Sequence, residues 1–270
     1  MLISDETNAL LHLASVQGLA AFNKVSTSCA DLSRRELKRR ILSKLGESFQ
    51  HGENLLSSLR TFNGVLSGSW VVNFVDPLEL EPVNRIDILV GNNDFSLFIH
   101  WLETNEQANL LRCLTQVPEF TSGSYHCALE FQLPRTVVRV VRCITNDPCF
   151  LVANYGSTHL MNYISADHLL VAYPALTFKR ECVIIGDEPN DLYGQTFRHL
   201  TRTGDSRALV CNIEKGCGGG MRWFDDGWSI AIGLESSFLI DGNVHWQLGG
   251  VKCNKECTSG ERMVGWVDDK

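Results

Sequence analysis

Several things are scarce in this chain, and each scarcity excludes a class of protein. No apolar run approaches the ~20 residues a membrane helix needs, so no span is expected. The N-terminus, residues 1–22, has no basic stretch ahead of its apolar part and carries Asp5 and Glu6, so it does not read as a secretory signal. Basic charge is in deficit: a net charge of −7 argues against a broad electrostatic grip on nucleic acid. Internal repeats, low-complexity tracts and clear linkers are absent, and no pair of histidines stands with an acid at metal-ligand spacing. Cysteine is not scarce. Ten cysteines without a leader predict a reduced, intracellular protein, cytoplasmic or nuclear, rather than a disulfide framework. Hydrophobic content of 44% over 270 residues provides for one large domain, or for a core with helical and C-terminal additions.

Periodicity then divides the chain. Residues 4–60 read as helices. Leu10, Leu11, Leu13, Ala14 and Val16 form one stripe, Asp31 caps a charged helix, and Leu55, Leu56, Leu59 and Phe62 mark a helix over 51–62. The run from Val65 ends in the small turn Ser67-Gly68-Ser69, which opens a buried helix through Val71–Val75, stopped at Asp76-Pro77. A strand follows over Arg85–Val90, then an amphipathic helix over Phe95–Leu111 with Phe98, Leu102 and Leu110 inward. Two strands are expected at Tyr125–Gln132 and Thr136–Ile144. Beyond Tyr155, Thr158–Ile164 and Asp167–Ala172 read as helical, as does Leu192–Arg202 within a polar stretch. Residues 208–270 carry Gly, Trp and Cys with strand-like runs at Trp228–Leu234 and Val244–Leu248. The expected class is therefore α/β (α+β), in three parts: N-terminal helices 1–60, a core 61–185 and a C-terminal extension 186–270.

Two stretches carry chemistry. In the Ser67-Gly68-Ser69 turn, glycine lets the backbone approach a ligand, and the amides and hydroxyls suit phosphate oxygens. On the following strand, alternate residues point to one side, so a pair of acids two apart can share a Mg²⁺ ion. Here that pair reads Arg85 and Asp87. The segment Asn63–Ser69 with Val83–Val90 is joined by Ser157–Ile164, by Tyr173–Phe178, and by Cys211 to Cys217 with Met221–Asp225. In this order and spacing, the chain resembles the nucleotidyltransferase-like proteins abundant in mushroom-forming fungi, over about residues 45–230.

The resemblance implies a nucleotidyltransferase-like small mixed sheet flanked by helices. It also implies a centre in which three carboxylates hold metal while a hydroxyl attacks the α-phosphate of a nucleoside triphosphate. Carried over position by position, the first carboxylate is Arg85, the second is Asp87 and the third is Arg139. Asp87 is thus the one catalytic acid retained, and Ser67, Gly68, Ser69, Arg85 and Arg139 are the candidate phosphate- or nucleotide-binding residues. A guanidinium binds phosphate bidentately without a metal; equally, Arg85, Arg139 and Asp87 can be a structural cross-strand pairing.

Three readings follow. The first is a degenerate transferase acting as a binding or interaction module for a nucleotide, another phosphorylated ligand or a protein. The second is an active enzyme using Mg²⁺ and transferring a nucleoside monophosphate, with further acids recruited from Glu130, Asp76, Glu79, Glu81 or Asp94. The third is a zinc-stabilised structural protein. For the third, Cys211, Cys217, Cys253 and Cys257 supply four candidate thiolates for a tetrahedral Zn²⁺, against the alternative of free thiols. His159 and Asn162 read either as ligand-positioning groups or as a buried, hydrogen-bonded turn. Trp223, Trp228, Trp246 and Trp266 read as the core of the tail rather than as a base-stacking surface.

Overall fold

In the computed structural model, residues 5–77, 85–120, 123–184, 198–200, 222–235 and 244–246 are described. The chain opens with four helices: α1 (Asp5–Leu13), α2 (Val16–Asn23), α3 (Thr27–Gly46) and α4 (Gly52–Thr61). Strand β1 (Gly64–Ser67) runs directly into α5 (Gly68–Val75), and β2 (Arg85–Val90) precedes α6 (Phe95–Asn105). Then come β3 (Asn109–Leu114), β4 (Tyr125–Gln132), β5 (Val137–Cys143), α7 (Pro148–Ala153) and a 3-10 turn at Thr158–Leu160. The remaining elements are β6 (Asn162–Ile164), β7 (His168–Val171), α8 (Pro174–Thr177), β8 (Glu181–Val183), β9 (Arg198–Leu200), β10 (Arg222–Trp223), β11 (Ile230–Gly233) and β12 (His245–Trp246). Among the described residues no helix is long and apolar enough to cross a membrane.

The architecture is mixed α/β around one eight-stranded sheet in the order β11-β7-β6-β1-β2-β5-β4-β3. Among the described strands of this sheet, the central β2–β5 pair is parallel and the others pair antiparallel. Side chains alternate along each strand, and the two faces bury different cores. Ile86, Ile88, Val90, Val138 and Val140 join the helical residues Leu37, Ile41, Leu45, Leu55, Leu59, Phe98 and Leu102 on one face. Val65, Leu89, Ala128 and Val141 pack on the other with Leu151 and Val152 of α7, Leu160 and Met161. On α3, Leu37, Ile41 and Leu45 recur every fourth residue and are all fully buried, each stabilising by about 1.5–3 kcal/mol.

The helical start is borne out in type and refined in detail. The stripe on the first helix is narrower than expected: Leu11 and Val16 are buried, while Leu10 and Leu13 are exposed. The cap of the charged helix is Ser26, whose hydroxyl accepts from the Cys29 amide, and Asp31 lies inside the helix paired with Arg34. The helix expected over Phe95–Leu111 stops at Asn105. Glu106 turns inward, fully buried, to accept from the Gln50 and His51 amides, and Gln107 adopts a left-handed φ of 55°. Leu110 is consequently on an exposed strand rather than facing inward.

Thr158–Ile164 and Asp167–Ala172 are not helices. Beyond the 3-10 turn they form β6 and β7, which extend the sheet from Leu66 and Ser67 outward. Apolar runs this short fit either period, and the open edge of β1 decided between them. Within the stretch expected as helix over Leu192–Arg202, Arg198–Leu200 is a strand paired with β8; the rest lies outside the described residues. Strand β11, from the C-terminal part, completes the main sheet beside β7. Trp246 is buried and donates to the Tyr173 hydroxyl, but Trp223 and Trp228 are 40% and 47% exposed, so only one of these three is core. Trp266 lies outside the described residues.

Candidate functional site

The register of five strands places one row of polar side chains straight across the sheet. Ser67 of β1 stands opposite Asp87 of β2, Asp87 opposite Arg139 of β5, Arg139 opposite Glu130 of β4, and Glu130 opposite Arg112 of β3. Directly paired residues share a face, so these groups form a ladder of alternating charge. The next row towards the core on the same face is apolar: Val65, Leu89, Val141, Ala128 and Leu114.

At the centre, Arg139 grips Asp87 with two parallel bonds, Nε to Oδ1 at 2.9 Å and Nη2 to Oδ2 at 2.7 Å. Both side chains are almost wholly buried. Arg85, two residues before Asp87 on the same strand and face, donates to Asp87 Oδ1 at 3.2 Å and to Glu119 Oε1 at 2.8 Å. Arg139 reaches both oxygens of Glu119 at 3.1 Å through its remaining terminal nitrogen. Glu130 faces Arg85 at 3.9 Å and accepts from Arg112 at 2.5 Å. Three guanidiniums therefore meet three carboxylates, and the network is neutral.

Electrostatics follow from this packing. Burial alone lifts the Glu119 carboxyl, but the adjoining Arg139 and Arg85 charges outweigh it and hold its pKa below the usual value. Burial likewise opposes the Arg139 charge, and Asp87 and Glu119 more than restore it. Tyr155, fully buried against the network, keeps its phenol protonated, first through burial and then through the Asp87 charge.

The turn and the acid do come together. Gly68 opens α5 at a φ of 71°, and a Cβ added there would stand 2.5 Å from Asp87 Oδ2. Asp87 thus seats its carboxylate against the N-terminal end of α5, the place where an anion is favoured. Ser67 is fully buried, and its hydroxyl donates to the Asn162 carbonyl at 2.6 Å rather than towards a ligand. Ser69 is half-buried in the first turn of α5. So Ser67, Gly68, Arg85, Asp87 and Arg139 converge, but around one another.

This set does not suit Mg²⁺. Both Asp87 oxygens already accept from guanidiniums, and two fixed positive charges stand where a metal would need acids. Of the acids open to recruitment, Glu130 belongs to the ladder, Asp76 caps α5 and pairs with Arg180, and Asp94 lies at the start of α6. Glu79 and Glu81 lie outside the described residues, as do Cys211, Cys217, Cys253 and Cys257. Glu119 was missed by sequence reasoning. It lies in an irregular segment with no periodicity, and only folding brings it over Arg85 and Arg139.

His159 and Asn162 sit behind the turn, both buried. His159 Nδ1 is 2.6 Å from the Ser157 hydroxyl, and the Asn162 amide donates to the His159 carbonyl at 2.7 Å. At the far end of β1 is a separate cavity of about 340 Å³, bordered by Asp147, Cys149, Tyr163, Ser165 and His168. Its polar groups engage each other: His168 Nε2 is 2.8 Å from the Tyr163 hydroxyl, and His168 Nδ1 is 3.1 Å from the Ser165 hydroxyl. Burial pulls the His168 pKa down to about 4 despite Asp167, keeping the imidazole neutral. Compared with known proteins, the chain matches no family model, and no curated protein matches it.

Proposed function

We propose that this chain is a nucleotidyltransferase-like scaffold without transfer chemistry, serving as a binding or interaction module. One observation carries the reading: the retained acid, Asp87, spends both oxygens on Arg139 and Arg85 in a buried, charge-neutral ladder. A carboxylate so engaged is a poor metal ligand, because freeing it would leave two guanidiniums facing an incoming dication. The ladder instead supports a rigid, finished sheet, the property a module needs to present a surface.

A second reading, a metal-free site for a phosphorylated ligand, rests on the rim of the network. Arg85 is 35% exposed and Glu119 23% exposed, so a phosphate displacing Glu119 would meet two guanidiniums. Thermal-shift and calorimetric titrations distinguish these readings from a working transferase, since a ligand that binds the native state raises its melting temperature. The expected result is no stabilisation by nucleoside triphosphates that depends on Mg²⁺ or Mn²⁺, and no transfer of a labelled nucleoside monophosphate. A metal-dependent rise that disappears in Asp87→Asn would establish the transferase. Metal-free binding of nucleotides or sugar phosphates that weakens with salt and in Arg85→Ala would establish the phosphate site.

A further inference from the structure

Away from the ladder, on the opposite face of the same strands, two thiols have no part in the reading above. Cys113 of β3 stands opposite Leu129 of β4, and Leu129 alternates with Cys127 along β4. Cys113 and Cys127 therefore share one face as diagonal neighbours across an antiparallel pair. Cys113 is exposed and Cys127 half-buried, both unbridged. Burial raises the Cys127 pKa, and the neighbouring Cys113 raises it further. Opposing them is Arg142, directly across from Cys127 on β5. Its guanidinium is held in place, donating to Asn92 Oδ1 at 2.8 Å and lying 5.7 Å from the centre of the Phe95 ring.

We propose that Cys113 and Cys127 form a two-thiolate site for a soft monovalent ion, Cu(I) by the chemistry of its ligands. Three considerations narrow the ion. Diagonal β neighbours have Cα atoms ~7–8 Å apart, beyond the usual reach of a ~2.05 Å S–S bond. A linear ion between two thiolates lets their sulfurs stand much farther apart, about twice a metal–thiolate bond that is ~2.3 Å in zinc sites. Two thiolates fall short of the four ligands of a tetrahedral Zn²⁺ site and suit an ion content with two. Thiolates select Cu(I) over harder cations. Loading converts two thiols and one Cu(I) into a bis-thiolate complex of charge −1 and two released protons. Arg142 offsets that charge, which gives its placement beside Cys127 a purpose.

The test uses fully reduced full-length protein under anaerobic conditions, with Cu(I) delivered as its coloured bicinchoninate complex. Loss of colour counts the equivalents taken up by wild type, Cys113→Ser, Cys127→Ser and the double variant. Each single variant is expected to bind one equivalent fewer than wild type, and the double variant to lose no more than either single. Unchanged stoichiometry in the single variants would overturn the proposal, as would additive losses, which mean separate sites. Cys113→Ser alters an exposed position and keeps the experiment decisive should Cys127→Ser misfold. In a second arm, oxidised glutathione is expected to leave no Cys113–Cys127 disulfide in a peptide map. Rapid formation of that bond would place the sulfurs at bonding distance and replace the ion site with a redox pair.

Discussion

Arg139 and Asp87, opposite each other on the parallel central strands of the main sheet, are joined by two hydrogen bonds of 2.9 and 2.7 Å with both side chains buried. The bond pair fixes more than two residues. It seats the Asp87 carboxylate against Gly68 and holds Arg139 where Glu119 can close over it. Asp87→Ala would take its two-bonded partner from the buried Arg139 guanidinium, and a loss of about 3–5 kcal/mol in urea unfolding is expected. Replacing both partners, Asp87→Leu with Arg139→Met, should recover most of that loss. A double variant no more stable than Asp87→Ala would show that the pair does more than neutralise itself.

Gly68 is constrained twice, by its left-handed backbone and by the carboxylate above it. Gly68→Ala should cost ~1–2 kcal/mol for the conformation alone, plus the displacement of Asp87 by a Cβ that would stand 2.5 Å from Oδ2. In an Asp87→Ala background only the conformational part should remain. Equal costs in the two backgrounds would mean that the turn relaxes without pressing on the acid.

His168 gives the protein a mildly acidic weak point. Its folded pKa, about 4, lies below the ordinary 6.5, so the unfolded chain takes up the proton first. Stability from the neutral imidazole is complete above pH 6.5 and drains away as pH falls towards 4. At ~1.4 kcal/mol per pKa unit, the loss is about 3 kcal/mol. Urea midpoints measured across this window should slope for wild type and flatten for His168→Gln. A slope that survives the substitution would assign it to another group.

Glu36 controls a lower window. It is buried on α3, where burial raises its pKa but bonds from Arg39, Arg40 and His12 prevail and bring it to about 2. Its contribution is present above pH 4.5 and is lost as pH falls through 2. Because Arg40 also donates to the Leu11 and Ala14 carbonyls, this cluster pins α1 to α3. Glu36→Gln should cost about 2 kcal/mol at neutral pH, the scale of hydrogen bonds to charged groups. It should also loosen α1 first, seen as faster amide exchange over residues 9–13. Unaltered exchange there would separate the acid from the docking of α1.

The sequence by itself determined the mixed α/β class, the N-terminal helices, the Gly68 turn and the alternation that puts Asp87 on one side of its strand. These are local matters: periods of 3.6 and 2, and a residue able to take positive φ. Five of the residues it singles out, Ser67, Gly68, Arg85, Asp87 and Arg139, do lie together. Only the tertiary structure decided what they do together. Register across five strands made a ladder in which Arg139 meets Asp87 and Glu130, and an irregular segment carried in Glu119. The same long-range pairing turned the apolar runs near Asn162 and His168 into strands and left Leu110 exposed on β3. Whether an acid is free to bind metal depends on which charges stand opposite it, and that is fixed by strand neighbours far apart in the chain.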